Sequence, residues 1–459
     1  MTPLPKKALL LQCRIKFCYL LDNRATRPFD RRQEKPVQAI GFSISGGKNM
    51  NKFKRAVLAA SVSAVALAGA AAADVKVAFI DPLSGPFGPS GESAFTTYKL
   101  AFEKLNAAGG LNGEMVELTG YDNKISPKES LVQLQKAIDS GARYILQGNG
   151  SSVASAIIDA VNKHNKRNPG EEVVFFNYAA VTPAFTNEAC SFWHFRFDAH
   201  ADMKMNAITD YVVGRGDIKD VYLIGQNYIF GEAVAAAAVK QLGEKDSSIK
   251  IVGNELHPLG KVKDFTPYIQ KIQSSGADAV ITGNWGQDMA LLVKAAADSG
   301  LTIPFLTMYG GSLGAVAALG DGAKGTLFQV TEAITNLEAD EAQYGIIEEY
   351  KERFPDYDYY YHRAFVAVDM FKAAAEKAGS NDPVAVATAM EGISVNSAYG
   401  PVTMRAEDHQ AQQNLYISTV SDDVKYGVDN IELGWKLVEG GKIDASAAEE
   451  PTTCKMDRP

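Results

Sequence analysis

Short β-branched runs alternate with helical stretches twice along this chain, and that alternation limits the fold more than any other feature. Residues 75–80 (VKVAFI) read as a strand ending in the turn Asp81-Pro82-Leu83-Ser84-Gly85-Pro86, and 91–107 follow with Phe95, Tyr98, Leu100, Phe102 and Leu105 at helical spacing. Gly109-Gly110-Leu111-Asn112-Gly113 stops that helix before a second strand over 115–120. Ser126-Pro127-Lys128-Glu129 has the form of a capping box with proline at the first helical position, and Leu131, Leu134 and Ile138 supply its buried stripe. Strands at 144–146 and 173–176 flank a helix over 151–162. The series restarts with strands at 221–224, 251–256, 279–282 and 305–307 and helices near 233–242, 265–274 and 288–298. Series of βα units build parallel sheets covered on both faces, so the expected fold is α/β, with two doubly wound lobes. The segment 192–197 (FWHFRF) is too apolar for a free linker and reads as a crossing strand, and the acidic tail after Gly440 reads as irregular.

Charge divides the chain. Residues 1–73 hold 13 basic and 3 acidic side chains, leaving 33 basic and 51 acidic on 74–459, a net of -18. A body that negative repels phosphate backbones, which excludes nucleic-acid binding by electrostatic contact. From Met50 a basic stretch (Asn51-Lys52-Phe53-Lys54-Arg55), an uncharged Ala/Val/Leu run over 56–72 and Ala71-Ala72-Ala73 form a signal peptide over 50–73. The alternative, a membrane anchor, suits the run poorly because it is short and mostly alanine. No cysteine stands at the cleavage point, so a soluble, unanchored periplasmic protein is expected. Since a signal peptide begins a chain, 1–49 read as an upstream extension. Gly46-Gly47 codons are able to spell a purine-rich ribosome-binding site before Met50, and a genuine long leading segment is the alternative. Beyond residue 73 only Cys190 and Cys454 remain. In an oxidising compartment they are expected to form one disulfide tying the tail to the body, the alternative being two separate buried thiols.

Signals of catalysis are missing. The six histidines (164, 194, 200, 257, 362 and 409) include no i,i+4 pair, and there is no H-E-x-x-H, C-x-x-C or EF-hand loop. No enzyme activity, metal or cofactor is expected. Gly148-Asn149-Gly150-Ser151-Ser152 follows a strand and opens a helix, so it presents backbone N–H groups and a positive dipole end to an anion such as a carboxylate, or else is an N-cap in a plain loop. The segments 178–183 (YAAVTP), 226–231 (QNYIFG) and 283–287 (GNWGQ) also follow strands. Open α/β sheets bind ligands at the carboxyl ends of their strands, so the four loops are expected to converge on one cleft.

In order and spacing, VKVAFIDPLSGPFGPSG, LNAAGGLNGE, YDNKISPKESLVQLQKAI, YAAVTPAFT, FGEA, DFTPYIQKIQSSGADAVITGNWGQD and AYGPVTM resemble the branched-chain amino acid binding proteins of ABC importers, the type I periplasmic solute-binding proteins, over essentially all of 74–459. The resemblance implies two lobes joined by three hinge crossings, with 74–197 plus 332–412 in the first and 198–331 plus 413–459 in the second. It implies a monomer that traps a small carboxylate of the amino-acid class and docks on a membrane permease, the alternative on the same site being a ligand-sensing partner of a membrane receptor. Carried over by position, the carboxylate-binding hydroxyl falls on Ser151 with Ser152 beside it, main-chain contacts on Ala179 and Ala180, the first-loop site near Ser90, and the second-lobe aromatics on Phe230 and Trp285. Val181 stands where a loop hydroxyl is expected, with Thr182 one place later, and Phe230 stands where tyrosine is common. No carboxylate lies near Tyr309-Gly310-Gly311-Ser312 to pair with a ligand ammonium. Glu332 or Asp198 is expected to substitute; otherwise the ligand is an acid or amide without an amine, against Trp285, Phe230 and Phe87.

Overall fold

The computed structural model describes residues 74–337 and 341–459, so the predicted signal peptide and upstream extension lie outside the described residues. Five strands form the first sheet: β1 (Val75–Asp81), β2 (Val116–Asp122), β3 (Tyr144–Gln147), β4 (Val174–Asn177) and β5 (His194–Arg196). They are all parallel, in the order β2-β1-β3-β4-β5. Successive side chains on β1 go to opposite faces, as strand geometry requires. Val77 and Phe79 pack with Tyr98, Ala101 and Phe102 of α1 (Gly88–Ala107) and with α10 (Arg363–Ala378) and α11 (Pro383–Met390). Ala78 and Ile80 pack on the other face with α2 (Pro127–Asp139) and α3 (Ser151–Arg167).

The second sheet repeats this plan. Parallel strands β6 (Asp220–Gln226), β7 (Lys250–His257), β8 (Ala279–Thr282), β9 (Phe305–Thr307) and β10 (Leu327–Thr331) are extended by antiparallel β14 (Leu415–Ser421) and β15 (Gly434–Ile443). One face is covered by α4 (Ala201–Arg215) and α5 (Ile229–Lys245) and the other by α6 (Thr266–Ser275), α7 (Gly286–Asp298) and α8 (Ala315–Leu319). A helix α9 (Glu341–Arg353) sets Ile347 and Tyr350 against Leu100 of α1. Strands β11 (Ser394–Ser397), β12 (Gly400–Met404) and β13 (Ala411–Gln412) form a small antiparallel sheet. Among the described residues no helix is long and apolar enough to cross a membrane.

The chain passes between the large sheets after β5, after β10 and between β13 and β14. The first and last passages are stitched together, because Gln413 Nε2 donates to Phe197 O at 2.8 Å and Gln410 Nε2 to Asp198 O at 2.9 Å. Three sequence expectations are corrected. Segment 192–197 supplies β5, the fifth strand of the first sheet, and the passage itself follows it. Leu131 is 41% exposed, because α2 turns Ser130, Leu134, Ala137 and Ile138 inward and Leu131 lies about 100° around the helix from Ser130. Beyond Gly440 the tail is regular at first, continuing β15 to Ile443 and forming α12 (Ala445–Ala448), and only 449–459 carry no regular secondary structure. It then runs to the first sheet's side, where Cys454 is disulfide-bonded to Cys190 with their Cα atoms 5.7 Å apart. Thr452 Oγ1 donates to Thr186 O at 2.6 Å there, and Arg458 Nη2 to Ala406 O at 2.7 Å.

Candidate functional site

Asp81 ends β1 fully buried beneath the loop that joins β3 to α3. Its carboxylate accepts the N–H groups of Gly148 at 3.0 Å and Asn149 at 3.2 Å and the hydroxyl of Tyr178. Burial pushes the Asp81 carboxyl up to about 7, against the pull of those donors. The loop passes so close to Tyr178 that a Cβ on Gly148 would stand 2.6 Å from its ring. With amides 148 and 149 taken, the chain turns at Gly150 into α3. Among the described residues no acceptor takes the N–H of Ser151 or Ser152, so a helix end with open donors and positive dipole charge faces outward.

The loop after β4 behaves differently. Asn177 Oδ1 accepts the N–H of Ala179 at 3.2 Å and of Ala180 at 2.8 Å, so the main-chain donors expected to meet a ligand are already engaged. In the second lobe Trp285 is held by Tyr228, whose hydroxyl accepts from Nε1 at 2.8 Å, and by Gln226, whose Nε2 donates to Trp285 O at 3.2 Å. Across the lobes Phe87 meets Trp285 with ring centroids 4.4 Å apart. Gly286, at φ 58°, lets Phe87 sit there, since a Cβ would lie 2.7 Å from its ring. The lobes are therefore closed on each other.

Between them lies a cavity of about 600 Å³, open solvent included. The first lobe contributes Ser90, Ser93, Gly148 to Ser151, Ala179 and Val181, and the second Tyr228, Phe230, Trp285, Tyr309, Gly311, Ser312 and Leu313. All four loops picked out from the sequence reach it. Of the individual residues, Ser90, Ser151, Ala179, Phe230 and Trp285 line it, whereas Ser152, Ala180 and Thr182 do not. Ser152 is half-buried in the first turn of α3, Ala180 is buried against the first lobe's core, and the Thr182 carbonyl accepts from Arg196 Nη1 at 2.7 Å. Phe87 lies outside the lining and seals the cavity through Trp285.

Sequence reasoning missed the segment leading into α10, where Asp358, Tyr360, Tyr361 and the helix's first residue, Arg363, join the wall. The run Asp358-Tyr359-Tyr360-Tyr361-His362-Arg363 was itself the available signal, since three consecutive tyrosines beside a histidine and an arginine are unusual for a plain linker. Arg363 is 1% exposed and pairs with Glu332 and, at 3.4 Å, with Asp198. Asp198 also takes Lys204 Nζ at 2.7 Å and the Tyr309 hydroxyl at 3.0 Å. Burial alone would raise the Asp198 carboxyl, but Arg363 and Lys204 hold it below the ordinary carboxylate range. Both carboxylates expected to meet a ligand ammonium, Glu332 and Asp198, thus pair with protein cations, Glu332 through Oε1 alone, and neither lines the cavity. Asp358 is half-buried in the wall, and burial pushes it up to about 6.

The chain has counterparts among known proteins. A model of the periplasmic binding protein family matches residues 74–425. Leu/Ile/Val-binding protein homolog 4 of Brucella abortus (strain 2308) is 33% identical over 415 residues, covering 88% of this chain and 97% of the relative. The leucine-, isoleucine-, valine-, threonine- and alanine-binding protein of Brucella ovis, solved in a closed conformation, is 31% identical with a TM-score of 0.75, over 84% of this chain and all of that one. A solute-binding protein of an ABC transporter from R. palustris, solved with benzoate, shares the fold at 20% identity and a TM-score of 0.70, over 83% of this chain and 99% of that one. On the family match and the Brucella relatives together, this chain belongs to the periplasmic binding protein family, as a type I member of the leucine-binding-protein kind.

Proposed function

We propose that the chain is an exported, non-catalytic solute-binding protein that captures a small carboxylate of the amino-acid class between its lobes and delivers it to an ABC permease in the membrane. The observation that carries this reading is the pairing, in one cavity between the lobes, of the open α3 N-terminus at Ser151 with the aromatic wall of Phe230 and Trp285. The ligand acid meets the Ser151 hydroxyl and the free amides, while its apolar body lies against the aromatic rings. Closure follows because the ligand touches both lobes and so binds the closed state better than the open one. The names of the Brucella relatives support an amino acid, and Asp358 is the wall carboxylate for its ammonium, with Oδ1 left over because Oδ2 accepts the Asp429 N–H at 2.9 Å. A hydrogen bond to a charged group contributes about 1.5–3 kcal/mol, so Ser151→Ala is expected to weaken binding roughly tenfold or more while leaving the unfolding temperature of the ligand-free protein unchanged. Titration calorimetry with L-leucine, L-isoleucine and L-valine tests this; unchanged affinity removes Ser151 from the site.

A second reading, an acid without an amine, is favoured by the commitment of Glu332 and Asp198 to Arg363 and Lys204. The pH dependence of affinity separates the two. Asp358, raised to about 6, is ionised at neutral pH, and a bound ammonium stabilises that form. Affinity for an amino acid is therefore expected to fall as the pH drops from 7 through about 6, whereas benzoate or 4-methylpentanoate, still ionised in that range and relieved of repulsion as Asp358 takes up its proton, holds or gains affinity between pH 7 and 6. A flat profile for L-leucine would rule out Asp358 as the counter-charge.

A further inference from the structure

The most unusual polar group in the cavity is a cation that is paired yet incompletely hydrogen-bonded. Arg363 opens α10 at the inner end of the cavity, where the passages between the lobes run. One guanidinium nitrogen, Nη1, donates to Glu332, at the start of the second passage, and Nη2 lies 3.4 Å from Asp198 in the first. Nε and Nη2 donate no hydrogen bond among the described residues, although the side chain is 1% exposed. The Tyr360 hydroxyl, also in the wall, is buried and equally without a hydrogen-bond partner. The guanidinium carbon lies 6.0 Å from the Tyr360 ring and 5.3 Å from the Tyr361 ring, so the tyrosines flank it, and Arg363 itself is part of the cavity wall. Leaving several buried donors unmade is costly, so such groups normally have a partner.

We propose that Arg363 and Tyr360 form a hinge-side polar subsite that binds an acceptor oxygen of the ligand. This rests on the carboxylate reading above and adds a contact to it. Glu332, Asp198 and Lys204 already balance the charge around Arg363, so the subsite asks for a hydrogen-bond acceptor and not for extra negative charge. The oxygen comes from one of two places: the ligand carboxylate itself, or a second carbonyl or hydroxyl along its body. Either way the ligand becomes bonded to a side chain whose other contacts lie in two passages between the lobes.

Calorimetry on the full chain tests the subsite with L-leucine and benzoate, whose carboxylate is the sole acceptor, and with L-glutamine and 4-hydroxybenzoate, which add a second. Tyr360→Phe deletes one oxygen and no charge, and Arg363→Lys keeps the positive charge for Glu332 and Asp198 but removes Nε and the planar fork. If the carboxylate docks on the subsite, both variants weaken every member that wild type binds by fivefold or more. If a second acceptor docks there, only L-glutamine or 4-hydroxybenzoate is weakened. Tyr360→Phe is expected to keep the ligand-free unfolding temperature, and it stands as the test should Arg363→Lys fail to fold. Affinities within twofold of wild type in Tyr360→Phe across the bound members overturn the subsite and leave the Ser151 assignment standing. A wild-type protein that binds none of the four overturns the subsite together with the carboxylate reading.

Discussion

Replacing Asp198 with asparagine is expected to lower the stability of the protein by about 3–5 kcal/mol, the range found when one partner of a buried ion pair is removed. Asp198 is fully buried between Lys204, itself 0% exposed, and Arg363. Asparagine keeps the shape and the Tyr309 contact but leaves two cations in the interior with Glu332 as their one remaining anion. Urea unfolding gives the measurement, as a fall in midpoint at constant slope. The sign with pH is fixed as well. A carboxyl held below its ordinary value contributes its full stabilisation above about pH 4 and loses it as the pH falls through the lowered value, so wild type and Asp198→Asn converge in acid. Adding Lys204→Met to Asp198→Asn should recover part of the loss, since it removes one stranded charge. A single-variant loss under 1 kcal/mol would mean that water reaches the cluster and screens it.

The second large effect belongs to the disulfide. Cys190 and Cys454 are 264 residues apart in sequence, so the bond closes most of the folded chain into one loop and removes that freedom from the unfolded state. The double variant Cys190→Ser, Cys454→Ser is expected to lose about 2–5 kcal/mol, and wild type in dithiothreitol should unfold at the same temperature as the variant. The tail's own bonds to Thr186, Asn187 and Ala406 hold it in the reduced protein, so ligand affinity is expected to change little. Unfolding midpoints equal with and without the bond would show that the unfolded chain is already compact enough for the link to restrain nothing.

What could be read from the sequence follows the range of the forces involved. The strands and their loops were legible because period-2 and period-3.6 patterns are local, and Val77, Phe79, Ala78 and Ile80 sort onto their faces by position alone. Ser151 was legible for the same reason, since a strand, a glycine turn and a helix start are neighbours in the chain. Ala180 and Thr182 went astray because the Asn177 side chain and Arg196 compete for their main-chain groups, which no spacing announces. Glu332 and Asp198 were expected to face a ligand ammonium, and the structure sets Arg363 against both instead. Arg363 claims both, and that meeting of three distant segments is made by the sheets.

The tail also sets the mechanical range of the molecule. After α12, where Ala448 is buried against the α4 face of the second lobe, five residues, 449 to 453, lead to Cys454 and its anchor on the first. Fully drawn out, five residues span about 17 Å. The jaws are thus leashed near the tail as well as hinged, and the leash is covalent at its far end. Their widest gape is a matter of chain length in an oxidised molecule and of weak hydrogen bonds in a reduced one.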